Sequence, residues 1–441
     1  MKFVFSDSLD FVDPNYDFLR DRSHPSREPY WDDMYPHEIF STPPYDGVLV
    51  SRAIVGDHSI KGKYTESQAM RFRRVGARKF LRFPATKFPN TMVMGDCGAF
   101  AYHKMEEPPF TPEDMMSFYI DGGFTHGCSV DHLIFDFSPK GGGRAITTSE
   151  NARRYDITLE NAREFLELCQ SEGRPFEPLG VIQGWSPRSM ADAASALKKM
   201  GYRYLAVGGM APLRADSIKL ALQAIRDAVG PDIPLHLLGF AKAEQVHQFA
   251  PFKIASFDTT SPLIRAFKDD KANFYFRDGA QKLTYYTALR IPQARENPKL
   301  QRLVKAGRTS LDDLLSYEQS ALRSVRDLDV GNADEEKVLE DVLAYNRFLF
   351  AKEERSGEAQ KVMDRLRPEY RRTLRDKPWQ SCDCAICKAV GAEVAIFRAS
   401  NRNKRRGMHN LWTYKKFLND VNTGAFQKHR KIGESNDLFG F

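Results

Sequence analysis

Between Gly47 and Asp258 the chain repeats one pattern, and that repetition narrows its possible folds more than any other property. Short apolar, β-branched runs recur: Gly47-Val-Leu-Val-Ser-Arg-Ala-Ile-Val, Thr91-Met-Val-Met-Gly-Asp, His132-Leu-Ile-Phe-Asp-Phe, Pro178-Leu-Gly-Val-Ile-Gln-Gly, Tyr204-Leu-Ala-Val-Gly-Gly, Pro234-Leu-His-Leu-Leu-Gly and Lys253-Ile-Ala-Ser-Phe-Asp. Each is short enough to be a buried strand. Most of the gaps carry helix signals. Thr158 is placed to cap a segment whose Leu159, Ala162, Phe165, Leu166 and Cys169 fall on one stripe. Ser186-Pro187 reads as a cap followed by proline at the first helical position. Residues 214–229 and 241–249 complete the series. Strand and helix in alternation imply a parallel sheet, either doubly wound or closed into a barrel.

The strand ends decide between these forms. Asp96, Asp136, Gln183, Gly208 with Gly209, Gly239 and Asp258 all fall at or just past the C-terminal ends of successive runs. In a barrel those ends converge on the face that carries active sites, whereas in an open sheet they are strung along an edge. The expected fold is therefore α/β, a (β/α)8 barrel, with seven strands legible and the eighth not placed. Residues 1–46, rich in Pro, Asp and aromatics without periodicity, read as an irregular N-terminal extension. The barrel is expected over 47–290. Helical spacing at 311–325 and 334–351 marks a helical subdomain over 291–378, and a basic, zinc-binding segment follows over 379–441.

Cysteine placement supports the last assignment. Cys97, Cys128 and Cys169 are scattered, but Cys382, Cys384 and Cys387 crowd into six positions, with His409 twenty-two positions beyond Cys387. Three thiolates and an imidazole complete a tetrahedral Zn2+ shell with no open position, the structural kind of site. His429 is the alternative fourth ligand. Such crowding does not suit a disulfide framework. No apolar run approaches membrane-spanning length, and the start Met1-Lys-Phe-Val-Phe-Ser-Asp turns polar too soon for a signal peptide, so a cytoplasmic location is expected. From Lys388 to Lys431, eleven Lys or Arg face only Glu393 and Asp420, a local +9 that leaves about −2 for the rest of a chain of net charge +7. Such a block either tracks nucleic-acid phosphates or is a solvated face. Cys128, Cys169 and His103, His126, His132 and His236 read as packing or surface residues. Gly141-Gly-Gly-Arg144 is a flexible turn or a substrate-contacting loop; no Gly-Lys-Ser/Thr phosphate loop is present.

Asp96, in Met94-Gly-Asp-Cys-Gly-Ala-Phe100, and Asp258, in Ser256-Phe-Asp-Thr-Thr-Ser-Pro262, stand out by position. One carboxylate to attack an anomeric carbon and a second to move protons equip a site for two-step displacement at a glycosidic bond. Either aspartate alone reads equally well as a helix cap. Their context adds Phe135-Asp136, Gly180-Val-Ile-Gln-Gly184, Ala206-Val-Gly-Gly-Met-Ala211, Leu237-Leu-Gly239 and the Cys-x-Cys-x-x-Cys with its His. In this order the motifs resemble the tRNA-guanine transglycosylase family, over about residues 90–265 and 380–410. The resemblance implies that Asp258 is the nucleophile at C1′ of the target nucleoside and that Asp96 accepts a proton from the incoming base. It implies further that Asp136, Gln183 and the backbone at Gly208, Gly209 and Gly239 line the guanine edge, and that Phe100 and Leu238 sandwich the ring.

Departures point to a particular branch. Cys97 and Ala99 replace a usual Ser and Gly, and Thr259-Thr-Ser-Pro-Leu-Ile-Arg265 differs from the tRNA enzymes. Asp-Cys-Gly-Ala-Phe together with Phe-Asp-Thr-Thr-Ser-Pro is more similar to the DNA-guanine transglycosylase branch, which inserts 7-cyano-7-deazaguanine into DNA. The resemblance thus implies a pentosyltransferase acting on DNA, with tRNA as the alternative substrate and a non-catalytic nucleic-acid-binding barrel as the second alternative. The expected cofactor is one structural Zn2+. Expected partners are DNA, a 7-deazaguanine base and an ATP-dependent protein that opens the duplex, with no membrane.

Overall fold

The computed structural model describes residues 1–7, 9–140, 147–278, 282–350 and 356–425, with side chains described for all but 356–359. Two of the features singled out above, the turn at 141–144 and His429, lie outside the described residues. Contacts divide the chain into two compact units, Met1–Leu9 with Tyr45–Ser261, and Asp10–Pro44 with Pro262–Phe441.

The first unit is a closed eight-stranded parallel barrel. Its strands are β1 (Lys2–Ser6), β2 (Gly47–Ser51), β3 (Met92–Asp96), β4 (His126–Cys128), β5 (Glu177–Ile182), β6 (Tyr204–Val207), β7 (Leu235–Leu237) and β8 (Ser256–Asp258). Neighbours pair in sequence order, and β1 closes the ring against β8 with Lys2, Phe3 and Val4 opposite Ser256, Phe257 and Asp258. Alternate residues of each strand point inward. Val4, Leu49, Met92, Met94, Leu179, Val181 and Ala206 pack there as one buried cluster. The helix Pro187–Met200 forms as its sequence demands: the Ser186 hydroxyl accepts from the Ser189 amide and Pro187 occupies the first turn.

Three sequence expectations differ from the structure. The missing strand is β1, inside the stretch expected to be an irregular extension. Its pattern is legible, but the following 40 residues contain no βα connection, because Asp10–Pro44 belong to the other unit. The run His132–Phe137 is not a strand; β4 ends at Cys128. Its backbone groups bond to side chains instead of a ladder. The His132 amide donates to Thr158 Oγ1 at 3.0 Å, Arg154 donates to the Leu133 carbonyl at 2.7 Å, and the Ile134 amide donates to Gln183 Oε1 at 3.4 Å. Thr158 consequently does not cap its helix, which spans Ser149–Ser171 and is capped by Thr148.

The second unit is mainly helical, with Pro298–Lys305, Leu311–Asp329, Glu335–Phe350, Ser356–Asp376 and Ser400–Asn422 around one apolar core that includes Val12 and Phe40. A hairpin, Phe274–Arg277 with Leu283–Tyr286, completes it. Much of the basic segment is internal here. Arg398, Arg402, Arg405 and Arg406 are all buried. Arg398 and Arg402 pair with Asp21, and their further partners are Glu318 and Glu393. Arg405 donates to the carbonyls of Asp13 and Pro14, and Arg406 to those of Val394 and Ile396. Four of the eleven cations therefore organise the fold and present no phosphate-tracking face.

Candidate active site

Period-two geometry carries the last inward position of each strand to the C-terminal mouth of the barrel. Ser6 follows Val4, Ser51 follows Leu49, Asp96 follows Met94, Leu238 follows His236, and Asp258 follows Ser256. These residues line one cavity of about 330 Å³, joined by Phe100, Asp131, Gly208, Gly209 and Gly239. That volume lies at the lower end of the range for small-molecule sites, about 300–1,000 Å³. Asp96 and Asp258, 162 positions apart in the sequence, thus open on a common space.

Asp258 is 5% exposed and held on both oxygens. Oδ1 accepts from the Gly239 amide at 2.8 Å and lies 3.2 Å from His236 Nε2. Oδ2 accepts from the Ser6 hydroxyl at 2.7 Å. Gly239 has φ +61°, a left-handed conformation natural to glycine, and this aims its N–H at the carboxylate.

Asp96 is constrained differently. Its Oδ1 is buried without a hydrogen-bond partner among the described residues. Burial pushes the carboxyl up to about 7, with Asp258 and Asp131 adding to the rise and a hydrogen bond from Ser51 opposing it. A carboxyl group titrating there can give and take a proton near neutral pH.

Asp131 is a lining residue that sequence reasoning missed. Its Oδ1 accepts from Cys97 Sγ at 3.1 Å and its Oδ2 from Gln183 Nε2 at 2.6 Å. Burial raises its carboxyl above the ordinary range. The available signal was an Asp only three residues past β4, obscured because the apolar run after it resembled the strand. Asp136 stands elsewhere: it is exposed, outside the cavity lining, and accepts from Asn151 Nδ2 at 3.1 Å. Gln183 is buried behind Asp131 and is also not among the lining residues. Gly208 makes room for it, since a Cβ there would fall 2.3 Å from Gln183 Nε2. Phe100, 53% exposed and with its ring 5.9 Å from that of Phe135, lines the cavity, and Leu238 lines the same space.

In the second unit Cys382, Cys384, Cys387 and His409 place their ligand atoms within 4.8 Å of one another. His409 Nδ1 lies 3.5, 3.4 and 3.3 Å from the three sulfurs. A tetrahedral zinc shell with Zn–S of about 2.3 Å and Zn–N of about 2.0 Å has S···N edges of about 3.5 Å, so the donor set fits. His409 Nε2 is 2.7 Å from the Tyr275 carbonyl, which can only accept. The proton therefore sits on Nε2, and Nδ1 is left free to ligate. The cluster could hold one zinc ion, closed to substrate by its four ligands. No helix among the described residues is long and apolar enough to cross a membrane.

No family model matches the chain. Over 415 residues, 93% of this chain and 95% of the relative, it is 40% identical to a DNA-guanine transglycosylase of Salmonella montevideo.

Proposed function

The chain belongs to the family of the DNA-guanine transglycosylases, and from that premise we propose that it replaces guanine in DNA with 7-cyano-7-deazaguanine through a covalent bond to Asp258. The observation that carries this reading is the convergence of Asp96 and Asp258 on one cavity with the half-exposed Phe100 beside them. C1′ and the base edge cannot both be reached inside a stacked duplex, so the target nucleoside enters flipped out. Its ring is held between Phe100 and Leu238, and its edge meets the backbone at Gly208, Gly209 and Gly239. Asp131, oriented by Gln183, takes the edge-reading place expected of Asp136.

Asp258 attacks C1′; the O–C1′ bond forms as the C1′–N9 bond breaks and guanine leaves with the electron pair, taking a proton from Asp96. The deazaguanine then enters. Its ring nitrogen attacks C1′, its proton passes to Asp96, and the electron pair of the O–C1′ bond returns to Asp258. The carboxyl at about 7 suits Asp96 to both transfers. Zinc on Cys382, Cys384, Cys387 and His409 is structural and takes part in neither displacement. Flipping costs a few kcal/mol, which an ATP-driven partner that opens the duplex would supply.

The test is mass spectrometry of nucleosides from DNA incubated with the enzyme and 7-cyano-7-deazaguanine, with tRNA in a parallel arm. Incorporation into DNA is the expected result; incorporation confined to tRNA, or none, overturns it. Asp258→Asn should abolish both exchange of labelled guanine and the trapped adduct.

A further inference from the structure

His236 is completely buried on β7, and neither displacement above gives it a role. It stands in a continuous chain of polar groups inside the barrel. The Tyr204 hydroxyl is 2.6 Å from Ser256 Oγ, Ser256 Oγ is 2.7 Å from His236 Nδ1, and His236 Nε2 is 3.2 Å from Asp258 Oδ1. Strand register builds this chain, because His236 pairs directly with Ser256 across β7 and β8.

The direction of its protons follows from the two ends. A carboxylate can only accept, so Nε2 carries the proton toward Asp258. Nδ1 then accepts from Ser256, and Ser256 in turn accepts from Tyr204. Burial pushes the Tyr204 phenol up to about 12, which keeps it a donor at the head of the chain.

A carboxylate offers about two lone-pair directions on each oxygen. On Asp258 both directions of Oδ1 are filled, by the Gly239 amide and by His236, while among the described residues Oδ2 meets only the Ser6 hydroxyl. We propose that His236 is a positioning residue for the exchange, turning Asp258 so that Oδ2 is the oxygen that attacks C1′. This rests on the reading of Asp258 as the nucleophile. When the Oδ2–C1′ bond forms and the C1′–N9 bond breaks, Oδ1 becomes the ester carbonyl and keeps both donors. When the incoming base breaks Oδ2–C1′, the electron pair returns to a carboxylate whose Oδ1 is already held by two N–H groups. His236 neither gains nor loses a proton in either step. It fixes the geometry and favours the aspartate as a leaving group.

The experiment compares His236→Phe, His236→Gln and Ser256→Ala with the full-length parent and Asp258→Asn, following steady-state exchange and the rate of adduct formation on DNA. Loss of the donor in His236→Phe should lower kcat on the order of 100-fold, with KM for DNA and for the base within about threefold. Gln carries an N–H at a reach similar to Nε2 and should recover kcat to within about tenfold of the parent. Ser256→Ala leaves the core volume nearly intact and frees Nδ1, so it should lower kcat at unchanged KM even where the Phe variant does not fold. Parental kcat in both Ser256→Ala and His236→Phe, or a Gln variant as impaired as Phe, overturns the proposal. If Asp258→Asn itself retains exchange, the assignment of the nucleophile fails, and the role of His236 fails with it.

Discussion

At the scale of single residues, the cavity sets a chemical requirement against stability. Asp96 is held near 7 in the fold, whereas an unfolded aspartate titrates near 3.9. Between those values the folded chain binds the extra proton, so Asp96 opposes folding increasingly as pH rises through the window and fully above it. Asp96→Asn should therefore be more stable than the parent by a few kcal/mol at most, with a larger gain in melting temperature at pH 8 than at pH 5, while turnover is lost. A gain that grows toward low pH would contradict the raised titration. Gly208 gives a second expectation. The methyl of Gly208→Ala falls 2.3 Å from Gln183 Nε2 and must displace a buried amide that orients Asp131. Losing a hydrogen bond to a carboxylate costs about 1.5–3 kcal/mol, so KM for the base should rise about tenfold or more; an unchanged KM would detach Gln183 from base recognition. Asp96 and Asp258 are legible in the sequence as cavity residues because they sit at strand ends, whereas Phe100 and Leu238 are marked only by the family resemblance. Asp131 and Asp136 were not distinguishable, since both flank one apolar run and only the path of its backbone separates them.

Among the elements, a strand is legible where its apolar run coincides with it and stands in the βα rhythm. β2, β3, β5 and β6 are four to six residues long with apolar runs that match their bounds. β4 has only three residues, and the stronger apolar run follows it. Leu133 and Ile134 are buried like strand residues, yet the Leu133 carbonyl and the Ile134 amide bond to the side chains of Arg154 and Gln183, and hydrophobic pattern cannot tell these situations apart. β1 was lost for another reason: strand reading leaned on the βα rhythm, and β1 stands outside it. Its place between β8 and β2 is what closes the ring. Removing residues 1–7 would leave β2 and β8 with open edges and strip the buried Phe3 and Phe5 from their ring partners Phe257 and Tyr45. The truncated protein is expected to aggregate on expression, as seen by size-exclusion chromatography. A soluble truncated chain of parental melting temperature would show that β1 is dispensable.

Across the whole molecule, four arginines of the basic segment and the Cys3His cluster belong to the second unit. The sequence placed an excess of +9 over residues 388–431 and left open whether it tracked phosphates. Inside the fold Arg402 is fully buried between Asp21 and Glu393, and Arg398 joins Asp21 to Glu318. Glu393 is nine positions from Arg402, but Glu318 is 80 and Asp21 is 377 positions from Arg398, so the local charge pattern does not disclose the network. Such a network stabilises little relative to an apolar core, but removal of one member strands a buried charge at about 3–5 kcal/mol. The helix that carries Arg402, Ser400–Asn422, also carries His409. One metal ion would therefore tie that helix to the turn at Cys382–Cys387, and Tyr275 would fix the tautomer of its histidine. Metal analysis should return about one zinc per chain. Chelation should speed amide hydrogen exchange through residues 382–422 and at 274–277, and added zinc should restore protection. Cys384→Ala, which removes a buried ligand and the hydroxyl-like cap on the Cys387 amide, should reproduce the chelated pattern without a chelator. Protection in 382–422 that ignores both treatments would mean that the arginine network alone holds the helix and that the four ligands do not depend on a metal.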